Sequence, residues 1–168
     1  MRAVLFDLDG TLADTAPDLA NALNHVLKTN NKPALPFEAT RPIVSHGGIA
    51  LIRLGFKIEP ENLEFEPLRL QLLDFYKEHI CDHSSLFPGL DILLDNLDKN
   101  HIPWGIVTNK PDWLSEPLLE KLNLNERIAS LVCGNTLAEK KPHPAPLFHA
   151  CKEMNIPVEQ CIYIGDAA

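Results

Sequence analysis

Near its start the chain reads Val4-Leu5-Phe6-Asp7-Leu8-Asp9-Gly10-Thr11, an apolar run that ends in two carboxylates and a glycine. Residues two apart in a strand project from the same side, so Asp7 and Asp9 are predicted to converge at the carboxyl end of a buried strand. Gly10 gives the following turn the backbone freedom to approach an anion. Two carboxylates this close repel each other, and a bound cation or a shared proton relieves the repulsion. The plainer alternative is a strand followed by a capped helix, with both acids as solvated turn residues.

The length and net charge of the chain limit the partners that it can be expected to bind. The chain has 168 residues, enough for a sizeable core, and a formal net charge of -8. Nucleic acid and anionic membrane surfaces are therefore not expected as partners, whereas a local basic site for a phosphorylated metabolite is compatible with this charge. No apolar run is long enough to cross a bilayer, and the start does not resemble a signal peptide, so a cytoplasmic location is expected. The oligomeric state is left open.

Cysteines and histidines show no metal-binding pattern. The seven histidines are scattered, and no cysteine pair has C-x-x-C spacing. Most cysteines lie in apolar contexts, which favours reduced, buried thiols over disulfides or zinc ligands. The four are Cys81, Cys133, Cys151 and Cys161.

Short apolar runs predict an α/β fold. They lie at Ala3–Phe6, Trp104–Thr108, Leu131–Cys133 and Cys161–Ile164, and helical periodicity separates the later ones. This alternation predicts a Rossmann-like parallel sheet flanked by helices. About seventy residues of helical pattern follow the first strand, far more than a crossover requires. We therefore predict an inserted α-helical cap at 15–84 and an α/β core formed by 1–14 and 85–168.

Three helices are predicted in the insert. The first is capped by Thr15 and ends near Asn30-Asn31. A second contains Ile49–Arg53 and is expected to break at Gly55. The third is expected from about Glu61 to His79, with an aromatic stripe that indicates bundle core more readily than a ligand cage.

Polar residues follow each predicted strand of the core. Ligands of open parallel sheets bind at the carboxyl ends of the strands, so these residues are expected to meet. The two acids follow the first strand, Thr108-Asn109-Lys110 follows the second and Gly165-Asp166 follows the last, while Lys140-Lys141-Pro142-His143-Pro144 precedes a helix. Acids, a hydroxyl and a cation are the components that phosphoryl transfer requires.

This set resembles the haloacid dehalogenase-like hydrolase superfamily. Its four motifs are matched in order by Asp7-Leu8-Asp9-Gly10-Thr11, by Thr108-Asn109, by Lys141 in Lys-Pro-His-Pro, and by Gly165-Asp166. The resemblance covers the whole chain, and a helical cap between the first two motifs is typical of the phosphoglycolate phosphatase-like branch. It implies a phosphatase in which Asp7 is the nucleophile and Asp9 the general acid, then the base. The second acid favours a phosphate monoester of an alcohol, because dehalogenases lack it.

The same resemblance implies how phosphate and metal are bound. Thr108 and the Asn109 backbone would hydrogen-bond the transferring oxygens, and Lys141 would neutralise phosphate charge. Lys140 is the competing cation, and a position directly before proline favours Lys141. Asp7, the Asp9 carbonyl and Asp166 would bind Mg²⁺.

Each of these residues has a plainer interpretation. Thr108 could cap a helix, Lys141 could be a solvated surface charge, and Asp166 could be a turn residue.

The family motif continues past Asp166 to a second acid, whereas the sequence ends at Ala167-Ala168. We therefore expect a fragment, with the C-terminal part of the core missing and the last strand left as an apolar edge. A chain that truly ended there would be expected to bind metal weakly, to be poorly stable and to have little activity.

Specificity is expected in the cap, because cap insertions close over the site and select the leaving group. Within Arg41–Gly48, the residues Arg41, Ser45, Gly47 and Gly48 are the candidate substrate loop. The alternative is an ordinary helix connection with Ser45 as a cap.

Several functions remain open at this point. Motif type favours a phosphoglycolate phosphatase-like enzyme. Phe65–His79, His83-Ser84 and Trp104–Pro111 also resemble the N-acetylmuramic acid 6-phosphate phosphatases. A sugar phosphomutase or a non-catalytic metabolite-binding protein would carry the same motifs.

Overall fold

The structure is a computed structural model and describes residues 2–166. Its packing divides these residues into two compact units. The first combines the residues up to Asp14 with those from Ser85 onward, and the second is Thr15–Ser84. The division falls after Asp14 and after Ser84, and the assignment of the two parts as catalytic core and cap stays a prediction.

The first unit is built on a parallel sheet. Its strands within residues 2–166 are β1 (Ala3–Phe6), β2 (Ala13–Asp14), β3 (Ser85–Leu86), β4 (Trp104–Val107), β5 (Ser130–Val132) and β6 (Cys161–Ile164). Four of them form a parallel sheet in the order β5-β4-β1-β6. Every residue of β1 and β4 is buried, as expected for strands covered on both faces. The predicted parallel α/β sheet is confirmed.

Helices follow the strands as the sequence predicts. Over the described residues they are α1 (Ala16–Thr29), α2 (Phe37–Thr40), α3 (Gly47–Phe56), α4 (Phe65–Glu78), α5 (Leu90–Lys99), α6 (Asp112–Lys121) and α7 (Ala145–Glu153). In the first unit α7 packs on β4 and β5. A core cluster of Leu5, Val107, Val132, Ala150 and Cys151 joins the sheet to this helix.

The insert is helical, with two boundaries that differ from expectation. Gly55 does not end the second helix, since α3 continues to Phe56. A Cβ at Gly55 would lie 2.9 Å from Leu23 of α1, so this glycine permits close helix packing. The third helix begins at Phe65 rather than near Glu61, because the Asn62 side chain accepts the Glu64 N–H in a preceding turn.

The Asp18 carboxylate makes several buried hydrogen bonds near the start of α1. Thr15 occupies the N-cap position, yet its side chain makes no capping hydrogen bond. Asp18 is 2% exposed. Its carboxylate accepts the backbone N–H groups of His83 and Ser84 and the Ser84 hydroxyl at 2.6 to 3.1 Å. These hydrogen bonds connect the first residues of the insert with its last residues.

Where the chain leaves and re-enters the first unit, β2 and β3 form an antiparallel ribbon that the sequence does not predict. Asp14 pairs with Ser85, and Ala13 with Leu86. Two-residue strands are too short to show an alternating pattern. The two connections to the insert are therefore fixed side by side.

Two further observations concern the cysteines and the lengths of the helices. None of the four cysteines forms a disulfide, and burial raises the pKa of Cys151 to about 12. Among the helices of residues 2–166, none has the length and apolar character needed to cross a membrane.

Candidate active site

Asp7 and Asp9 lie in the turn that follows β1. The Asp7 N–H donates to the Ile164 carbonyl at 2.8 Å, which continues the pairing of β1 with β6. Asp7 Oδ1 accepts the Leu8 N–H at 2.7 Å. Gly10 has φ +82°, and a Cβ there would lie 2.6 Å from Asp166 Oδ2. The turn thus requires glycine both for its backbone conformation and for the close approach of Asp166.

Lys141 neutralises the buried Asp7 carboxylate. Its Nζ lies 2.7 Å from Asp7 Oδ2, and both side chains are 14% exposed. Burial raises the pKa of Asp7, whereas the hydrogen bond and charge of Lys141 lower it and the charge of Asp9 adds a smaller increase. Lys140, the competing cation, is exposed. A contact this close argues against Lys141 being a solvated surface charge.

Tyr163 and Asn109 hold Lys141 from two sides. Lys141 Nζ donates to the Tyr163 hydroxyl at 2.8 Å. The Asn109 side chain donates to the Lys141 carbonyl and accepts the Lys141 N–H, both at 3.0 Å. Its amide is therefore engaged in fixing the Lys141 backbone. The sequence did not predict either contact.

Lys110 pairs with the second acid. Its Nζ lies 3.0 Å from Asp9 Oδ1, and the Lys110 side chain is 6% exposed. Lys110 stands directly after Thr108-Asn109, and this adjacency was the only sequence signal for its role. The buried Thr108 accepts the Lys110 N–H at 3.1 Å. Since Pro111 is the N-cap residue of α6, Thr108 does not cap that helix.

The proposed metal ligands are all hard oxygen donors. Asp166 accepts a hydrogen bond from Thr11 Oγ1 at 3.1 Å and follows β6, the neighbour of β1. Within residues 2–166 no three His, Cys, Asp or Glu side chains gather as a metal site, and the Asp7 and Asp9 carboxylates contact lysines instead. The predicted set uses Asp9 through its carbonyl and needs only two carboxylates. Its chemistry fits Mg²⁺.

The candidate substrate loop is not a loop. Arg41–His46 forms a 3-10 helix, and Gly47 and Gly48 begin α3. Ser45 is exposed and is not a cap residue, since His46 occupies the N-cap of α3. The Arg41 guanidinium lies 5.4 Å from the centre of the Phe37 ring. These residues belong to the second unit, and their role in substrate binding stays a prediction.

The site thus contains two acids, each paired with a lysine, at the carboxyl end of a parallel sheet. A model of the haloacid dehalogenase-like hydrolases matches residues 4–168. The chain belongs to this family. The resemblance inferred from the motifs is thus confirmed.

Relatives within the haloacid dehalogenase-like hydrolases are phosphatases. The N-acetylmuramic acid 6-phosphate phosphatase of Pseudomonas putida is 40% identical over 99% of this chain and 74% of its own length. The phosphoglycolate phosphatase of Xanthomonas campestris pv. campestris is 39% identical over 98% of this chain and 74% of its own length. The chain therefore spans about three quarters of these relatives.

A solved structure agrees with the sequence relatives. The crystal structure of a predicted phosphoglycolate phosphatase from Haemophilus somnus 129PT superimposes with a TM-score of 0.86 and 29% identity. The match covers 99% of this chain and 77% of that one. The expected enzyme class, a phosphoric monoester hydrolase of this family, is confirmed.

Proposed function

We propose that the protein is a Mg²⁺-dependent phosphatase that hydrolyses a small phosphate monoester through an aspartyl phosphate on Asp7. The observation that carries this proposal is the 2.7 Å contact between the Asp7 carboxylate and the Lys141 ammonium at the end of β1. Lys141 favours the ionised form that a nucleophile requires, against the effect of burial.

In the first step a carboxylate oxygen of Asp7 attacks phosphorus. The bond between phosphorus and the ester oxygen breaks, and Asp9 donates its proton to the departing alkoxide. The leaving group departs as an alcohol, and Asp7 carries the phosphoryl group.

In the second step Asp9, now ionised, takes a proton from a water molecule that attacks phosphorus. The bond between phosphorus and the Asp7 oxygen breaks, which releases inorganic phosphate and regenerates both acids. Lys110 Nζ, 3.0 Å from Asp9 Oδ1, holds this carboxyl group in position for the step.

Charge on the phosphoryl oxygens is met by Lys141 and by Thr108 with the Asn109 backbone. Asp7, the Asp9 carbonyl and Asp166 are the residues that would hold Mg²⁺. When bound, the ion neutralises phosphate charge and supplements the lysines.

For the substrate, a phosphorylated small metabolite, we propose phosphoglycolate first, since the motif type and the 39% identical relative favour it. N-acetylmuramic acid 6-phosphate is the second candidate, favoured by the 40% identical relative. A cytoplasmic location is part of this proposal.

The test is Mg²⁺-dependent phosphate release from p-nitrophenyl phosphate, phosphoglycolate and N-acetylmuramic acid 6-phosphate. Release should vanish in Asp7→Asn and persist in Asp91→Asn, which changes an exposed acid in the first turn of α5. Undiminished release by Asp7→Asn would refute the mechanism. The relative kcat/KM values for the two natural esters identify the substrate, and inorganic phosphate as the sole product excludes a mutase.

Asp9→Asn separates the two steps. p-Nitrophenolate leaves without a proton, so this variant should release about one equivalent of it and then stall as phosphoenzyme, because water lacks its base. With phosphoglycolate the first step should fail as well. Equal turnover of both esters would contradict the role of Asp9 as acid and base.

A further inference from the structure

Tyr163 contacts the ammonium group at the centre of the site, and no motif assigns it a role. A lysine ammonium has three N–H donors. Within the described residues one reaches Asp7 Oδ2 at 2.7 Å and a second reaches the Tyr163 hydroxyl at 2.8 Å. One N–H is left for an oxygen of the substrate phosphate.

The hydroxyl, rather than the ring face, makes this contact. Lys141 Nζ lies 5.4 Å from the centre of the Tyr163 ring. A nitrogen that is hydrogen-bonded to a tyrosine hydroxyl and lies near the ring plane is about this far from the ring centre. Because Lys141 Nζ is also 2.8 Å from the hydroxyl, the contact is a hydrogen bond and not a cation–π interaction. Burial raises the pKa of Tyr163, with smaller increases from the charges of Asp7 and Asp166. The neutral hydroxyl therefore accepts from Lys141.

Tyr163 is itself held firmly. It lies on β6 opposite Leu5 of β1, and its side chain packs against the core cluster of Leu5, Val107, Val132, Ala150 and Cys151. A Cβ at Gly165 would lie 3.0 Å from the Tyr163 hydroxyl, so the chain passes closely beneath it. Lys141, by contrast, precedes α7 on a flexible four-carbon stem.

We propose that Tyr163 is a positioning residue that keeps the Lys141 ammonium directed at the phosphoryl group throughout the reaction. This inference rests on the proposed function. When Asp7 becomes an acyl phosphate, its carboxylate charge is lost and its ion pair with Lys141 weakens. The Tyr163 contact is unchanged by that step, so it keeps the ammonium in place for the hydrolytic step.

The kinetic test is Tyr163→Phe, which removes one oxygen and keeps the ring. A hydrogen bond to a charged group supports a fall in kcat/KM of about 10- to 100-fold, mainly in kcat. In a Lys141→Met background the same change should alter kcat/KM by less than about threefold, because a residue that acts through Lys141 has no effect without it. Equal losses in both backgrounds, or no loss, would overturn the proposal.

A second readout does not depend on turnover. In ¹⁵N-lysine-labelled protein, a hydrogen-bonded ammonium exchanges its protons slowly, so the Lys141 Nζ resonance should be visible and should be lost or broadened in Tyr163→Phe. Tyr76→Phe is the matched control, since Tyr76 is the other tyrosine of the chain and lies in the insert. It should leave the resonance unchanged, and thermal unfolding verifies that both variants fold.

The two proposals can fail separately. Absence of hydrolysis by the wild type, together with a Lys141 resonance that responds to Tyr163→Phe, would refute the phosphatase mechanism and keep the positioning contact. A resonance indifferent to Tyr163→Phe would overturn the contact, even in an active enzyme.

Discussion

Burial of Asp7 makes the stability of the protein depend on pH. The folded chain holds the Asp7 proton more tightly than the unfolded chain, because burial raises the pKa of this carboxyl. Its contribution to stability is therefore greatest below the ordinary aspartate pKa and is lost as the pH rises toward the raised value.

We predict that the free energy of unfolding of the wild type, relative to Asp7→Asn, falls as the pH rises above about 4. Urea unfolding in the presence of EDTA measures this difference without metal. Asp7→Ala also lacks a titrating group and should give the same trend with a different offset. A difference that stays constant or grows with pH would show that burial does not dominate at Asp7.

Gly134 controls the position of the Asn109-Lys110 segment. Its N–H donates to the Lys110 carbonyl at 2.9 Å, and a Cβ there would overlap the Asn109 carbonyl oxygen. Gly134→Ala should therefore cost about 1–3 kcal/mol of unfolding free energy, measured by urea denaturation. It should also lower activity by displacing Lys110 from Asp9.

Gly48→Ala is the matched control. Its Cβ would meet only side-chain atoms, the nearest at 3.6 Å, and it lies in α3. Alanine should therefore raise the unfolding free energy by a few tenths to about 1 kcal/mol. Similar losses in the two variants would mean that the overlap at Gly134 is not the cause.

At this scale the sequence identified the residues of the motifs, but not what contacts them. Asp7, Asp9, Thr108 and Lys141 stand in motifs, and their placement follows from the rule that strand ends meet. The contacts of Lys110 and Tyr163 were not predicted, because they join Asp9 to the end of β4 and Lys141 to β6. Such pairings depend on strand order, which local sequence does not encode.

Among the elements, the strands of the parallel sheet were predicted to within one residue at each end. Each strand is a short apolar run, and β1 and β4 are fully buried, so composition alone marks them. Helix boundaries were less accurate, since packing decided them: Gly55 stays helical because α1 packs closely against it, and the Asn62 turn delays the start of α4. The β2–β3 ribbon was missed because its two-residue strands carry no periodic signal.

Asp18 should be important for the integrity of the insert. Both of its carboxylate oxygens accept, Oδ1 from His83 and Oδ2 from His83 and Ser84, so Asp18→Asn sets its NH2 group against at least one of these donors and removes the charge that they stabilise. We expect a loss of about 2–3 kcal/mol in unfolding free energy by urea denaturation.

The comparison for Asp18→Asn is Asp91→Asn, which also removes a first-turn acid but at an exposed position. It should cost less than about 1 kcal/mol, the usual effect of a charge on a helix dipole. Equal losses of unfolding free energy in the two variants would mean that Asp18 contributes only through the helix dipole.

For the whole molecule, the order β5-β4-β1-β6 places β1 inside the sheet and β6 at its edge over the described residues. The apolar edge expected from the sequence is present there, since Ile162 and Ile164 are 46% and 41% exposed. The second acid with which the family motif continues after Asp166 has no counterpart in the sequence, and Ala167-Ala168 lie outside the described residues.

The β2–β3 ribbon makes the insert an exchangeable part of the protein. Because Asp14 and Ser85 are paired, the two points at which Thr15–Ser84 is spliced into the first unit are neighbours, as close as the two ends of a hairpin loop. A segment of almost any length can be exchanged at such a junction without stretching the sheet. The insert can thus be exchanged without altering the strand that carries Asp7 and Asp9, and grafting a relative's insert between Asp14 and Ser85 tests the predicted role of the insert in specificity.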